Sequence, residues 1–254
     1  MAGDTPTKDA PKQPPPQAPA RPSVEVIAFF TTNDTRPSYL PAYAPPAARL
    51  DNTKRFKARA DKLASNNRVH GVDGVVAATA VVNAVDPNVR FSRVYLIGHG
   101  FEGGFFFHGK PDPKMDFTAS KADETFKGPG VSSDAAAAKA DTDFVEALAK
   151  HFKPNDYFEI GILACYSGST TMVPAVCNHL IKLGFKNFLV GGFVDDYQTR
   201  YTFETPSGRI LEWTDMVLDK RDEKTILQSM RRGEIPKYQT KCRGPNTPVD
   251  VLDP

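Results

Sequence analysis

The amino-acid sequence predicts an α/β fold: a mostly parallel sheet with helices on both faces and a C-terminal β-hairpin. Three observations carry that expectation. Short apolar runs recur at residues 24–30, 93–97, 157–163 and 188–192, each too short for a helix and bounded by turn residues. Segments of helical spacing stand between them, and strands that alternate with helices form parallel sheets covered on both sides. A length of 254 residues suits one large domain, and no internal repeat divides it.

Seven of the 22 prolines fall within residues 1–22, which lack large apolar side chains. Such a segment cannot offset its ordering entropy, so it reads as a disordered or polyproline II arm. The folded domain is expected over residues 23–235. Its first strand, 24–30, ends in Thr31-Thr-Asn-Asp34. Residues 36–48 carry four prolines and read as a loop. Residues 50–64 place Phe56, Ala60 and Leu63 at helical spacing, which predicts a helix with one face on the sheet. Residues 75–85 are rich in Ala and Val and predict a helix stopped at Pro87. The run 93–97 then lands on Gly98-His99-Gly100. Residues 103–108 read as the first arm of a hairpin, and 110–133 as a long Gly- and Pro-containing loop suited to activation or self-processing. Asp134 is a candidate N-cap for a helix reaching Phe152.

Residues 157–163 are the next buried strand, landing on Ala164-Cys165-Tyr166-Ser167-Gly168. A helix over 171–183 should end at Gly184, a natural C′ residue. After the strand at 188–192, residues 200–204 and 209–213 flank Thr205-Pro-Ser-Gly208 and predict an antiparallel hairpin. Residues 225–232 read as a last short helix, and 236–254 as an irregular tail.

Composition excludes several functions. The 32 Lys and Arg against 30 Asp and Glu leave a net charge of +2, without the basic excess that a nucleic-acid partner needs. No uninterrupted apolar stretch approaches the ~18 residues of a membrane span. The opening Met1-Ala-Gly-Asp-Thr-Pro6 has neither the basic nor the apolar region of a Sec signal, so the expected location is cytoplasmic, or exported by another route. Three cysteines, Cys165, Cys177 and Cys242, are too few for a disulfide scaffold, and the odd count leaves at least one thiol. No Cys/His spacing fits zinc and no phosphate-binding glycine motif occurs, so neither metal nor cofactor is expected. His108, Cys177 and His179 read as surface, core and surface residues.

Ligands of open α/β sheets bind beyond the carboxyl ends of the strands. Two such ends here carry reactive side chains. His99 sits between glycines, and Cys165 follows a mostly apolar run and precedes Tyr-Ser-Gly. Their separation of 66 residues accommodates a crossover between parallel neighbours. A thiol and an imidazole on adjacent strands make a nucleophile and a general base, with the backbone N–H groups of Gly100 and Cys165 aimed at a developing oxyanion.

The motifs Tyr95-Leu-Ile-Gly-His99-Gly100 and Gly161-Ile-Leu-Ala-Cys165-Tyr-Ser-Gly168 resemble the paired His-Gly and Ala-Cys motifs of the caspase-like cysteine peptidases. That superfamily includes caspases, metacaspases, gingipains, legumains, separases and the self-cleaving protease domains of large bacterial toxins. Cys165-Tyr-Ser-Gly168 is similar to the Cys-His-Ser-Gly run of metacaspases, Asp195-Asp-Tyr-Gln-Thr199 to their Asp-Asp-Gln-Thr run, and the 200–213 hairpin to the flap of the toxin domains. The resemblance covers residues 24–213. It implies a caspase-like fold, a protein or peptide substrate, His99 as general base and acid, and Cys165 as nucleophile of an acyl-enzyme mechanism needing no third residue.

One departure bears on specificity. Basic-specific members carry Asp two residues before the nucleophile, where this chain has Leu163. An apolar side chain cannot neutralise a buried cation, so the substrate-pocket residue Leu163 favours a neutral P1 residue. Asp195 and Asp196 leave a basic-specific pocket as the alternative. Some toxin domains respond to inositol hexakisphosphate, and Lys220, Arg221, Lys224, Arg231 and Arg232 are candidates for an anionic activator. The competing reading of that cluster is a solvated helix face paired with Asp219, Asp222 and Glu223. Two further functions compete with the peptidase: a caspase-like module without catalysis that acts as a scaffold, and an unrelated hydrolase or transferase acting on small acyl esters.

Overall fold

The first apolar run folds as strand β1 (Val24–Thr31), whose last five residues are all buried. This is a computed structural model, and it describes residues 23–32, 52–101, 104–106, 117–118, 135–165, 167–168, 172–194, 196–199, 214–219, 224–229, 238 and 240–247. Helix α1 (Asn52–Leu63) follows with Phe56 and Ala60 buried. Lys57 and Asp61, one turn apart, pair on its outer face at 2.8 Å. Strand β2 (Val69–Val72) lies at the sheet edge and has no counterpart in the sequence-based reading, because four residues containing a glycine show too little periodicity. Helix α2 (Val75–Asn83) and strand β3 (Arg90–Ile97) stand where expected, α2 ending two residues sooner and β3 beginning three residues earlier.

Beyond β3 the chain leaves the main sheet. Strand β4 (His99–Phe101) pairs antiparallel with β5 (Gly104–Phe106), and β5 with β6 (Phe117–Thr118). The segment 103–108 was expected to open a hairpin, and its described part, β5, does pair antiparallel with the next strand β6, while β4 on its other side makes it the middle strand of this small sheet. Helix α3 (Ala135–Ala149) ends three residues before the expected Phe152. Strand β7 (Phe158–Leu163) is buried at every residue. Helix α4 (Met172–Lys182) closes as foreseen: Gly184 adopts φ +89°, Phe185 N–H reaches Leu180 O at 3.1 Å, and Gly184 N–H reaches Ile181 O at 2.9 Å. Those two bonds form a Schellman cap. Strand β8 (Phe188–Gly192) completes the parallel set.

Two expectations for the C-terminal region are corrected. Residues 225–232 were read as a helix, yet strand β11 (Lys224–Ser229) pairs antiparallel with β10 (Thr214–Asp219), which pairs with β9 (Asp196–Thr199). The β-branched pair Thr225-Ile226 fits a strand, and ladder bonds to a neighbour override a weak local helix preference. The competing helix-face reading of the basic cluster falls with that helix, since Lys224 opens a strand. The tail 236–254 is not irregular throughout. Strand β12 (Thr240–Arg243) pairs antiparallel with β8, so the sheet extends past the expected domain boundary at 235.

The main sheet has the order β12-β8-β7-β3-β1-β2, parallel except for β12. Period-two alternation splits its side chains between two cores. Ile27, Phe29, Leu96, Ile160, Ile162 and Val190 meet α2, α3 and α4 on one face. Ala28, Phe30, Tyr95, Ile97, Leu163 and Leu189 meet α1 on the other. Helices on both faces are thus present as expected. Cys177 of α4, fully buried, forms a disulfide with Cys242 of β12 across a Cα–Cα distance of 6.1 Å, a pairing that sequence reading did not anticipate. Among the described residues, no helix is long and apolar enough to cross a membrane. The expected arm at 1–22, the loops at 36–48 and 110–133 apart from β6, the Asp134 cap, the 200–213 hairpin and the last residues of the tail lie outside the described residues.

Candidate active site

Strands β3 and β7 are parallel neighbours, with Ile97 in register with Leu163. His99 and Cys165 each stand two residues past that pair, so both continue beyond the carboxyl edge of the sheet. The ladder ends just before them, where Gly98 N–H approaches Leu163 O at 3.4 Å. Tyr95, Ile97, Leu163 and Leu189 face α1, and an even step of two residues, through the bends at Gly98 and Ala164, leads from Ile97 and Leu163 to positions 99 and 165.

Contacts agree with this count. The imidazole of His99 meets the Phe56 ring of α1 edge-on, with centroids 5.2 Å apart. The Cys165 side chain, partly exposed, touches the same α1-facing core. Cys177 and Cys242 being joined, Cys165 carries the one thiol of the chain.

Main chain meets main chain at the same place. A Cβ on Gly100 would stand 2.1 Å from the carbonyl oxygen of Cys165 and 2.8 Å from Ala164 Cβ, so only a residue without a side chain fits there. The hairpin closes at the Phe101–Gly104 pair, and bonded pairs alternate along an antiparallel ladder. Gly100, opposite Phe105, therefore turns its N–H away from β5.

On the β8 side the turn after β7 is held by Ser167. Its buried hydroxyl lies 2.9 Å from Ile162 O and 3.0 Å from Ala164 O, and it accepts Phe193 N–H at 3.1 Å. Gly168 N–H donates to Phe193 O at 2.7 Å. Sequence reading missed two contributors. Ser167 stood inside the Cys-Tyr-Ser-Gly run without an assigned role, and nothing in the local sequence links Phe56 to His99 across 43 residues.

The structure brings His99, Gly100 and Cys165 together at one edge and separates Leu163 from that group. Leu163 is fully buried among Ile97, Phe193 and Tyr238, so its assignment as a substrate-pocket residue is corrected. Inward-facing strand positions fill the core before the chain reaches the rim. Asp196 opens β9 opposite Leu218. Asp195, His108, Lys220, Arg221, Arg231 and Arg232 lie outside the described residues.

A separate polar cluster occupies the other end of β7. Glu159, almost fully buried, accepts a hydrogen bond from Tyr238 Oη at 2.6 Å and lies 3.7 Å from Arg93 Nε. Burial pushes its carboxyl above the ordinary value, against the lowering effects of Tyr238, Arg93 and Lys241. Burial also raises the nearby Tyr157 phenol to about 12, with the Glu159 charge adding to the rise. No protein-family model, curated protein or solved structure matches the chain.

Proposed function

We propose that the chain is a cysteine endopeptidase of the caspase-like type, acting on protein or peptide substrates through His99 and Cys165. The single observation that carries this reading is the convergence at the β3–β7 edge. Imidazole and thiol extend from in-register neighbours on one face, with Gly100 against the Cys165 carbonyl. The six-stranded, mostly parallel sheet between α1 and the α2–α4 layer is compatible with that fold family.

In this mechanism the Cys165 proton passes to His99 and Sγ attacks the scissile carbonyl carbon. The N–H groups of Gly100 and Cys165 stabilise the oxyanion of the tetrahedral intermediate. Collapse breaks the C–N bond, His99 gives its proton to the leaving amine, and a thioester remains. Water, deprotonated by His99, attacks the thioester and regenerates the thiol.

The test is a peptide-library screen on the wild type, Cys165→Ala and His99→Ala. Cleavage by the wild type and its loss by about a thousandfold or more in both variants, each still folded, is the expected result. Full cleavage by either variant overturns the mechanism. No cleavage by the wild type favours the scaffold reading.

A further inference from the structure

Resting on that reading, we propose that Ser167 is a positioning residue that sets the Cys165 turn and thereby the approach of the thiol to His99. Strands β7 and β8 run in register only to the pair Gly161–Gly191, and beyond it the two chains part. Ile162 O and Ala164 O on one side, and Phe193 N–H on the other, are backbone groups that a longer ladder would have paired. The Ser167 hydroxyl stands in the fork and meets all three, at 2.9, 3.0 and 3.1 Å. The turn leaving β7 folds back on itself to make these contacts, and Cys165 lies inside it, flanked by two of the anchored points.

The fork has little slack. A Cβ on Gly192 would come within 2.8 Å of Ser167 Oγ and 3.0 Å of Gly168 N, and a Cβ on Gly168 within 2.9 Å of Thr240 Cβ in β12. Gly100 presses from the β4 side on the Cys165 carbonyl. Cys165 is therefore clamped between two strand ends, and on the β8 side the clamp closes through the Ser167 hydroxyl, with the Gly168 N–H to Phe193 O bond three residues beyond Cys165. Ser167 is fully buried and its proton is shared between two carbonyls, so it is not itself a nucleophile. Displacement of a reacting group by about 1 Å costs on the order of a hundredfold in rate. Loss of this hydroxyl should accordingly act on turnover and not on substrate affinity.

The experiment uses the full chain as wild type, Ser167→Ala, Ser167→Thr and Gly192→Ala. It measures kcat and KM on a peptide that the wild type cleaves, the iodoacetamide labelling rate of Cys165, and the folded fraction by circular dichroism. Ser167→Ala is expected to lower kcat and labelling at least tenfold with KM within twofold and the folded fraction unchanged. Ser167→Thr, which keeps the hydroxyl, should recover most of the loss, and Gly192→Ala, which pushes that hydroxyl aside, should reproduce it. Wild-type kcat and labelling in Ser167→Ala overturn the proposal, as does a loss that only tracks the folded fraction. If Ser167→Ala fails to fold, the same comparison is read on Gly192→Ala. Should the wild type cleave no peptide, labelling alone decides. A Ser167-dependent labelling rate then keeps the positioning role while the peptidase reading falls, and a Ser167-independent rate removes both.

Discussion

The alpha carbon of Gly100 lies directly against the main-chain carbonyl of Cys165, with room for no side chain between them: a Cβ would stand 2.1 Å from the oxygen. The contact joins the first residues of the small β4–β6 sheet to the turn that closes β7. It ties the backbone that carries His99 to the backbone that carries Cys165. Gly100→Ala is therefore expected to push two rigid backbones apart. The destabilisation should be about 1–3 kcal/mol in urea unfolding, as for overfilled cores, with slower labelling of Cys165 in the folded protein. An alanine variant with unchanged stability and labelling would show that the two strand ends are not in register.

Phe56 reaches His99 from α1, and the residue is 6% exposed. An edge-on aromatic pair contributes about 0.5–1.5 kcal/mol beyond area burial and fixes the ring orientation. Phe56→Leu keeps most of the volume and removes the ring. The expected outcome is a several-fold drop in kcat with a small change in the urea midpoint. Unchanged turnover would make Phe56 a core residue only.

The Glu159–Tyr238 pair gives a pH dependence with a definite sign. The folded carboxyl holds its proton to higher pH than the unfolded chain, whose value is near 4.5. Its contribution to stability is complete below that value and declines as pH rises through the raised folded value. Glu159→Gln keeps an acceptor for Tyr238 Oη and carries no charge. Urea unfolding from pH 4 to 7 should show the wild type losing stability relative to this variant as pH increases. Parallel curves would mean that the carboxylate is ionised in the fold at no extra cost.

The disulfide between α4 and β12 closes a loop of 65 residues, for which the chain-entropy estimate is about 4 kcal/mol. Dithiothreitol should lower the urea midpoint of the wild type and leave a Cys177→Ala/Cys242→Ala variant unchanged. Maleimide labelling in urea without reductant should add one adduct, at Cys165, and three after reduction. Three adducts without reductant would contradict the pairing.

Much of this architecture was legible in the chain because buried parallel strands read as apolar runs. Residues 24–30, 157–163 and 188–192 each match a described strand to within a residue or two. The two reactive side chains were legible because both follow such runs, His99 between two glycines and Cys165 directly after Ala164. What escaped were features that exist only through distant partners. Strand β2 is four residues long and is defined by β1. Strand β11 is defined by β10 and β12 by β8, so local helix preference or tail-like composition misled at both. Leu163 could not be recognised as core and not pocket until the α1 face existed around it. Ser167 looks like any turn serine until the fork between β7 and β8 gives it three partners.

The most direct test of the account compares iodoacetamide labelling of Cys165 at pH 7 in the wild type and in His99→Ala, both folded and both with the Cys177–Cys242 disulfide intact. An imidazole that takes the thiol proton makes the wild type at least tenfold faster, because only thiolate reacts. Equal rates in the two proteins would mean that His99 and Cys165 share an edge of the sheet without sharing a proton, and the proposed peptidase mechanism would fail.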